Sequence, residues 1–335
     1  MGESSIGWLH PPAHGRRVPF VAGGQPGYSV NYWIGCSKVD PECKHCYAER
    51  EAERRRLPTF RDRSLPVWGQ HAPRHFTTAA TLRKVKAWDR EAAEAGWPRL
   101  IFGGSQMDWL EDRADLVERR AMMLDAIEQA PNLRWILLTK RPENFARLAP
   151  RWRAGVPAHV WIGVSAGSQA SLDAKLGAFE AIPAAMKLIS GEPLIGPTDY
   201  SAGLKIARWL ILGGESGPKA RPCNTAWIRW GIRQARAAGR HVFVKQLGAL
   251  PTGAPSCIGC EGQVFEGAAC ERCGDVAELV QLPGGEFGRV IAHDAEDAWK
   301  LHLAHGNGED PREWPADLRV QEWPDGSAYD FGEAA

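Results

Sequence analysis

Long apolar runs are absent from this sequence, and neither sign of charge is in excess. No apolar run approaches the length of about 18 residues that a membrane-spanning helix needs. The opening segment, MGESSIGWLHPPAHGRR, lacks the apolar stretch of a secretory signal peptide. We therefore expect a cytoplasmic protein with no membrane partner. The 41 basic and 40 acidic residues leave a net charge of +1, so a nucleic-acid partner would have to bind a local patch.

Short apolar runs recur along the chain, and small or polar residues end each of them. The runs end at Cys36, Ser105, Lys140, Ser165, Glu192, Glu215 and Gln246. Between several of them the apolar residues have helical spacing, most clearly over 115–131 and 225–239. Nearly continuous apolar strands that alternate with helices indicate a parallel sheet covered on both faces. The pattern predicts an α/β fold, a partial or complete (β/α) barrel of mainly parallel strands; a doubly wound open sheet is the alternative.

The composition divides the chain into four segments. We expect an irregular N-terminal segment at 1–29, a barrel-like catalytic domain at 30–249, a cysteine-rich insert at 250–285, and a C-terminal extension at 286–335 that packs on the main domain. The length of 335 residues exceeds the usual size of one core, although (β/α) barrels reach it as single domains.

Polar and small residues follow the predicted strands, at the ends where parallel sheets bind ligands. They are Gly103, Gly104, Ser105, Thr139, Lys140, Ser165, Ser190, Glu192, Glu215, Ser216, Lys245 and Gln246. We predict that these residues line one mouth. Glu192 and Glu215 are the strongest candidates for a polar contact with a ligand. Alternatively, each carboxylate pairs with a nearby cation such as Lys140, Lys219 or Arg221 and contributes to stability.

Three cysteines, Cys36, Cys43 and Cys46, lie close together after the first predicted strand. The reducing cytoplasm favours metal ligands over disulfides for such clusters. Structural zinc usually takes four protein ligands, whereas a cubane iron–sulfur cluster on three thiolates leaves one iron open. The sequence favours the cluster. One alternative is a zinc ion held by the three cysteines and His45, and another is that the cysteines are free core residues.

Several motifs follow the cysteines in order: CYAE, LLTKRPE, WIGVS, SGEPLIGP, LILGGESGPKARP and VKQLG. Together they resemble the phage-associated three-cysteine proteins known as the phage protein gp-thirty-seven/gp-sixty-eight family. That family is a group of unknown function that resembles radical S-adenosylmethionine enzymes. The resemblance covers residues 30 to 248 and resumes in EDPREWPADLRVQEWP.

This resemblance implies a 4Fe–4S cluster on Cys36, Cys43 and Cys46 whose open iron binds the amino and carboxylate groups of S-adenosylmethionine. One electron, from a reductase or a flavodoxin-type donor, would cleave the cofactor and release a 5′-deoxyadenosyl radical. The radical would take a hydrogen atom from a small-molecule or nucleotide substrate. The superfamily usually has three residues between its first two cysteines, where this chain has six.

The resemblance also suggests what the strand ends bind. Candidate cofactor contacts are Gly103, Gly104, Ser105, Asp108, Ser165, Glu192 and Glu215, and candidate substrate contacts are Lys140, Arg141, Ser216, Lys245 and Gln246. The three cations among them suit an anionic substrate such as a phosphate, or they serve as counterions of the glutamates. After its second strand the superfamily commonly has a Gly-Gly-Glu run for the cofactor's amino group, where this chain has FGGSQMD.

A second cysteine cluster lies in the predicted insert. Cys257, Cys260, Cys270 and Cys273 form two Cys-x2-Cys knuckles. Four thiolates match tetrahedral Zn²⁺, and a stretch with so few apolar residues needs a metal to stay folded. Structural zinc is favoured over a second iron–sulfur cluster, and Cys223 is left as an unligated thiol.

A dense basic run follows the first cysteine cluster and contains Arg54, Arg55, Arg56, Arg61 and Arg63. Such a run is usually a solvated helix face. With the zinc knuckles it could instead make the chain a non-catalytic nucleic-acid-binding protein, which is the alternative function. The near-neutral net charge argues against that alternative as a complete account, and an enzyme that acts on a nucleotide or base would combine the two.

Overall fold

The computed structural model of the protein describes residues 2–12, 17–19, 25–54, 67–252, 291–292, 299–300, 303, 305–325 and 328–330. Both the zinc prediction and most of the basic run fall outside these residues. The residues concerned are Cys257, Cys260, Cys270, Cys273, Arg55, Arg56, Arg61 and Arg63.

Eight described strands form the main sheet. They are β1 (Gly2–Glu3), β2 (Tyr28–Val30), β3 (Arg99–Gly103), β4 (Leu133–Thr139), β5 (Val160–Ser165), β6 (Lys187–Gly191), β7 (Trp209–Gly213) and β8 (His241–Gln246). From β2 to β8 every neighbouring pair is parallel, and β1 pairs antiparallel with β2. All seven apolar runs of the sequence therefore supply strands of one parallel sheet.

The described helices mostly connect successive strands. They are α1 (Tyr47–Arg54), α2 (Ala79–Ala95), α3 (Val117–Glu128), α4 (Phe145–Leu148), α5 (Gln169–Glu180) and α6 (Thr225–Ala237). Short 3-10 helices occur at Gly7–Leu9, Pro41–Cys43, Ala114–Leu116, Pro142–Asn144, Pro150–Trp152, Gly203–Lys205, Pro311–Glu313 and Ala316–Leu318. Within the described part of the chain, no helix combines the length and the apolar character needed to cross a bilayer.

Further short strands lie outside the main sheet. They are Arg17–Pro19, Trp33–Ile34, His75–Phe76, Cys223–Asn224, Pro251–Thr252, Ile291–Ala292, Trp299–Lys300 and Ala328–Asp330. Among them, Trp33–Ile34 pairs antiparallel with His75–Phe76, and this pair leads directly into the first cysteine cluster.

The order of the strands in the sheet follows their order in the chain. A doubly wound sheet would reverse this order near its centre, so that alternative is wrong. The first and last parallel strands, β2 and β8, do not pair with each other in the described residues. The sheet is therefore a half-barrel, and the prediction of a partial (β/α) barrel is confirmed.

Apolar residues cover both faces of the half-barrel. On the outer face, strand residues such as Leu137 and Val164 pack against the helices, for example against Leu124 of α3 and Leu172 of α5. The inner face carries a second cluster, which consists of Trp8, Leu9, Leu100, Phe102, Ile136, Leu188, Trp209, Ile211, Phe243 and Trp323. Since Trp8, Leu9 and Trp323 come from the ends of the chain, the terminal segments fill the interior that an open barrel would leave exposed.

The terminal segments also cover the two edges of the sheet. β1 pairs with β2 at one edge. At the other edge, Val244 donates a backbone hydrogen bond to Val320 at 2.7 Å, and Glu322 donates one to Val242 at 3.0 Å. The indole of Trp323 donates to the carbonyl of Trp8 at 2.8 Å and joins the two segments. The exposed backbone groups of both edge strands are thereby partly satisfied.

Candidate functional site

A cavity of about 960 Å³ opens at the carboxyl ends of the parallel strands. Those ends meet at one edge of the sheet, so residues that follow different strands gather there. Predicted site residues in its lining are Gly104, Ser105, Asp108, Thr139, Lys140, Arg141, Ser165, Ser190, Glu192, Glu215, Ser216, Lys245 and Gln246. Gly103 does not line the cavity. A side chain at this position would point to the helix-covered face of the sheet, where its Cβ would lie 2.6 Å from Leu137.

The first cysteine cluster lies on a loop of residues 35–46, the cysteine loop, which forms part of the cavity wall. Cys36, Cys43 and Cys46 all line the cavity, and their thiols are partly buried and free of disulfides. Gly35 starts the loop with a φ of 119°, and a Cβ there would lie 2.3 Å from the carbonyl oxygen of Val67. Because only glycine tolerates both conditions, it allows the chain to turn sharply into Cys36.

Two acidic residues of the cysteine loop anchor it at the start of α5. Lys175 is 4% exposed, and its ammonium forms an ion pair with Asp40 at 2.5 Å. The carboxylate of Glu42, 3% exposed, accepts hydrogen bonds from Gly167 N at 3.1 Å and Ser168 Oγ at 2.9 Å. Buried charges persist in proteins when they are paired or hydrogen-bonded, so these contacts hold the loop against the strand ends.

Glu42 should make stability depend on acidic pH. Burial alone would raise the pKa of Glu42, but hydrogen bonds from a backbone amide and Ser168 and the charges of Lys140 and Lys175 hold it below its ordinary value of 4.5. Its stabilising contribution is therefore present above pH 4.5 and lost as the pH falls through the folded pKa. We expect E42Q, which cannot titrate, to lose less stability than the wild type on acidification, measured by urea unfolding.

Exposed Glu94 provides the control for this experiment, since its side chain is 71% exposed. E94Q should show the same pH dependence of unfolding free energy as the wild type. If E42Q and the wild type lose stability in parallel as the pH falls, the carboxylate of Glu42 does not carry the expected contribution.

Helix α1 extends the cysteine loop across the mouth of the cavity. The hydroxyl of Tyr47 donates to the carbonyl of Ser105, after β3, at 2.7 Å. The guanidinium of Arg50 lies 3.4 Å from the carbonyl of Ser216, after β7. Loop and helix are thus held at both sides of the half-barrel.

A network of buried charges surrounds Cys36. Arg74 and Glu111 form an ion pair at 2.7 Å with side chains 0% and 2% exposed, and Glu111 also accepts from the backbone and the hydroxyl of Ser37. Arg141 pairs with Asp108 at 2.8 Å and points one guanidinium nitrogen at the sulfur of Cys36, 3.6 Å away. Burial raises the pKa of the Cys36 thiol to about 12; Asp108 adds to this rise and Arg141 opposes it.

Most charged candidates from the strand ends are paired within the protein. Arg141, a substrate candidate, binds Asp108, a cofactor candidate. Glu215 is 4% exposed, and its carboxylate takes hydrogen bonds from the guanidinium of Arg221 at 2.7 and 2.9 Å. The ion pair between Lys245 and Glu192 measures 3.0 Å. These carboxylates and cations therefore serve as counterions of one another, as the alternative prediction stated. Glu192 and Lys245 both line the cavity.

Sequence reasoning missed the charged residues that hold the cysteine loop. Asp40 and Glu42 lie between the cysteines, yet their partners, on α5 and just before it, are more than a hundred positions away in the chain. Arg74 and Glu111 are likewise far from Cys36 in sequence. Residues of both terminal segments also reach the cavity, including Trp8, His10 and Gln321. The two acidic residues just before Cys43 were the one local signal that could have indicated an anchored loop.

The cysteine loop does not form a site for a single metal ion. Among the described side chains, no group of three or more His, Cys, Asp or Glu residues is arranged to hold one. The zinc alternative with Cys36, Cys43, Cys46 and His45 is thus not supported by the positions of these side chains, although His45 does line the cavity. Cys223 is fully buried and forms no disulfide with any described cysteine.

A family model described as "Protein of unknown function (DUF5131)" matches residues 27–298. The match covers most of the chain and includes the cysteine loop and all strands from β2 to β8. No curated protein and no solved structure matches the chain.

Proposed function

The chain belongs to the DUF5131 family of unknown function, and from its site we propose that it is an iron–sulfur enzyme of the radical S-adenosylmethionine type. One observation carries this proposal. Three partly buried, unpaired cysteine thiols on one anchored loop line a large cavity at the carboxyl ends of a parallel half-barrel. The order of motifs and the resemblance to the phage-associated three-cysteine family support the same reading.

The donor set of the cysteine loop fits a 4Fe–4S cluster. Three thiols with no fourth protein ligand suit a cubane that keeps one iron open, and a cubane spaces its ligands more widely than a single ion does. Cys36, Cys43 and Cys46 would hold it. With both groups bound, the site would supply one-electron reductive chemistry on S-adenosylmethionine for hydrogen abstraction from a substrate, with the electron coming from a reductase or a flavodoxin-type donor.

The protein's own groups would bind and orient the ligands. A volume of about 960 Å³ is near the upper end of small-molecule sites, roughly 300–1,000 Å³, so it has room for the cofactor and a small substrate. Backbone and hydroxyl groups of Gly104, Ser105 and Ser165 offer hydrogen bonds to the cofactor. Lys140 and Gln246 line the same wall, and we assign them to a small-molecule or nucleotide substrate.

Glu192 is the strongest candidate for a charged contact with S-adenosylmethionine, because its ion pair with Lys245 faces the cavity. We expect E192A to keep the cluster but to bind the cofactor about 10- to 100-fold more weakly, the usual effect of losing a charged hydrogen bond. Equilibrium binding of S-adenosylmethionine to the reconstituted protein measures this. E309A, which removes an exposed carboxylate at the cavity, should bind normally; equal affinity of E192A and the wild type would exclude Glu192 as a contact.

The experiment that tests the proposed function is anaerobic reconstitution with iron and sulfide, followed by electron paramagnetic resonance of the reduced protein. We expect a cubane signal that changes when S-adenosylmethionine is added, because the cofactor binds the open iron. A protein that takes up no cluster after reconstitution would overturn the proposal.

We also propose that the insert at residues 250–285 binds a structural zinc ion. Two Cys-x2-Cys knuckles, with Cys257, Cys260, Cys270 and Cys273, supply the four thiolates of a tetrahedral ion. Metal analysis is expected to find about one zinc per chain, and this zinc should remain when the cysteine loop is mutated. Iron together with acid-labile sulfide, found in place of zinc and retained when the cysteine loop is mutated, would instead identify a second iron–sulfur cluster. A reducing cytoplasmic location suits both thiol sites.

The near-neutral net charge of +1 argues against nucleic-acid binding as the whole function. Of the basic run the structure describes only Arg54, and its guanidinium forms an ion pair with Glu51 at 2.9 Å. We therefore include nucleic acid only as a source of the nucleotide or base substrate.

A further inference from the structure

Arg141 lies between the end of β4 and the cysteine loop, and it is only 6% exposed. One terminal nitrogen, Nη1, donates to Asp108 at 2.8 Å and lies 3.6 Å from the sulfur of Cys36. The other, Nη2, donates to the carbonyl and the hydroxyl of Ser37 at 2.6 and 2.9 Å. Both terminal nitrogens are therefore engaged by groups of the protein, which leaves Arg141 poorly suited to bind a substrate anion.

The position of the guanidinium is set by its neighbours rather than by a ligand. Asp108 is itself held by the hydroxyl of Thr139 at 2.7 Å and by the backbone N–H groups of Lys140 and Leu110 at 2.9 and 3.0 Å. A carboxylate fixed by three donors cannot turn away, so it keeps the guanidinium in place. The direction of Arg141 toward the sulfur is thus built into the fold.

We propose that Arg141 is a positioning residue that donates a charged hydrogen bond to the sulfur of Cys36 and thereby raises the reduction potential of the cluster bound there. This inference rests on the proposed function. Reduction adds negative charge to a cluster and its thiolate ligands, and hydrogen bonds to the sulfurs stabilise that charge. Asp108 has the opposite influence, because its negative charge partly offsets that of the guanidinium. The pair therefore sets how readily the cluster accepts an electron.

The test is a redox titration of the reconstituted full-length protein without S-adenosylmethionine. Electron paramagnetic resonance of the reduced cluster monitors the titration and gives the midpoint potential. R141M removes the donor and its charge, so its midpoint potential should shift to a more negative value. D108N removes the opposing charge, while the carbonyl and hydroxyl of Ser37 still hold Nη2 of Arg141, so the potential should shift to a more positive value. R221M is the matched control. Like Arg141, Arg221 pairs with a buried carboxylate at the cavity and donates to a carbonyl of the cysteine loop, that of Pro41 at 2.9 Å, but it does not contact Cys36.

Opposite shifts in R141M and D108N, with R221M equal to the wild type, would support the inference, because general loosening of the site cannot move the potential in both directions. If R141M binds no iron, the midpoint potential of D108N decides the test. A D108N potential that equals that of the wild type or is more negative overturns the inference. Unchanged potentials in R141M and D108N overturn the role of Arg141 alone and leave the proposed function intact. A wild-type protein without a cluster overturns both.

Discussion

Replacement of any one of Cys36, Cys43 and Cys46 by alanine is expected to abolish binding of cluster iron at the cysteine loop. A cubane on three protein thiolates has no spare ligand, so the loss of one sulfur leaves two irons without protein coordination. Iron and sulfide analysis of the anaerobically reconstituted variants measures the loss. Cleavage of S-adenosylmethionine by reduced protein should fall to the background rate in the same variants.

Cys223 supplies the matched control for these three variants. Its side chain is fully buried and does not line the cavity. C223A should retain the full iron content. A cysteine-loop variant that keeps its iron and cleaves the cofactor at the wild-type rate would refute the assignment of that cysteine as a ligand.

Replacement of Arg74 by methionine is expected to lower the free energy of unfolding by about 3–5 kcal/mol, the usual cost of leaving one partner of a buried ion pair unpaired. The effect should be large because the Arg74 and Glu111 side chains are 0% and 2% exposed. The same guanidinium donates to the carbonyls of Val67, Gly69 and Ala72 at 3.0, 3.0 and 2.7 Å, and these acceptors would lose their partner. Urea unfolding followed by tryptophan fluorescence measures the change.

An exposed ion pair gives the comparison for Arg74. Arg90 and Glu94 of α2 lie 3.8 Å apart with side chains 73% and 71% exposed, a geometry that stabilises little. R90A should therefore unfold at nearly the same urea concentration as the wild type. If R74M were as stable as R90A, the buried network beside Cys36 would not be important for folding.

The half-barrel could be predicted from the sequence because its signals are local. Each strand is a short, nearly continuous apolar run, and the helical spacing over 225–239 became α6 (Thr225–Ala237). A parallel sheet brings its carboxyl ends together whatever the details of packing, so most strand-end residues were expected at one cavity. Gly103 was the exception, because the side on which a strand's last residue points depends on register.

The order of strands could not be read from the same signals. A half-barrel and a doubly wound sheet use the same apolar runs, and only the pairing of neighbours in sequence distinguishes them. The filling of the inner face was also hidden, because Trp8 and Trp323 come from opposite ends of the chain.

By itself, the sequence determined the seven apolar strands of the parallel sheet and the helical spacing that became α3 and α6. It also determined that three cysteines follow the first of those parallel strands. Only the tertiary structure decided which charges are free to meet a ligand. Arg141 pairs with Asp108, and Lys175 of α5 with Asp40. The physical reason is that ion pairs form between groups close in space, and a charged residue's identity says nothing about which distant partner the fold brings within about 3 Å.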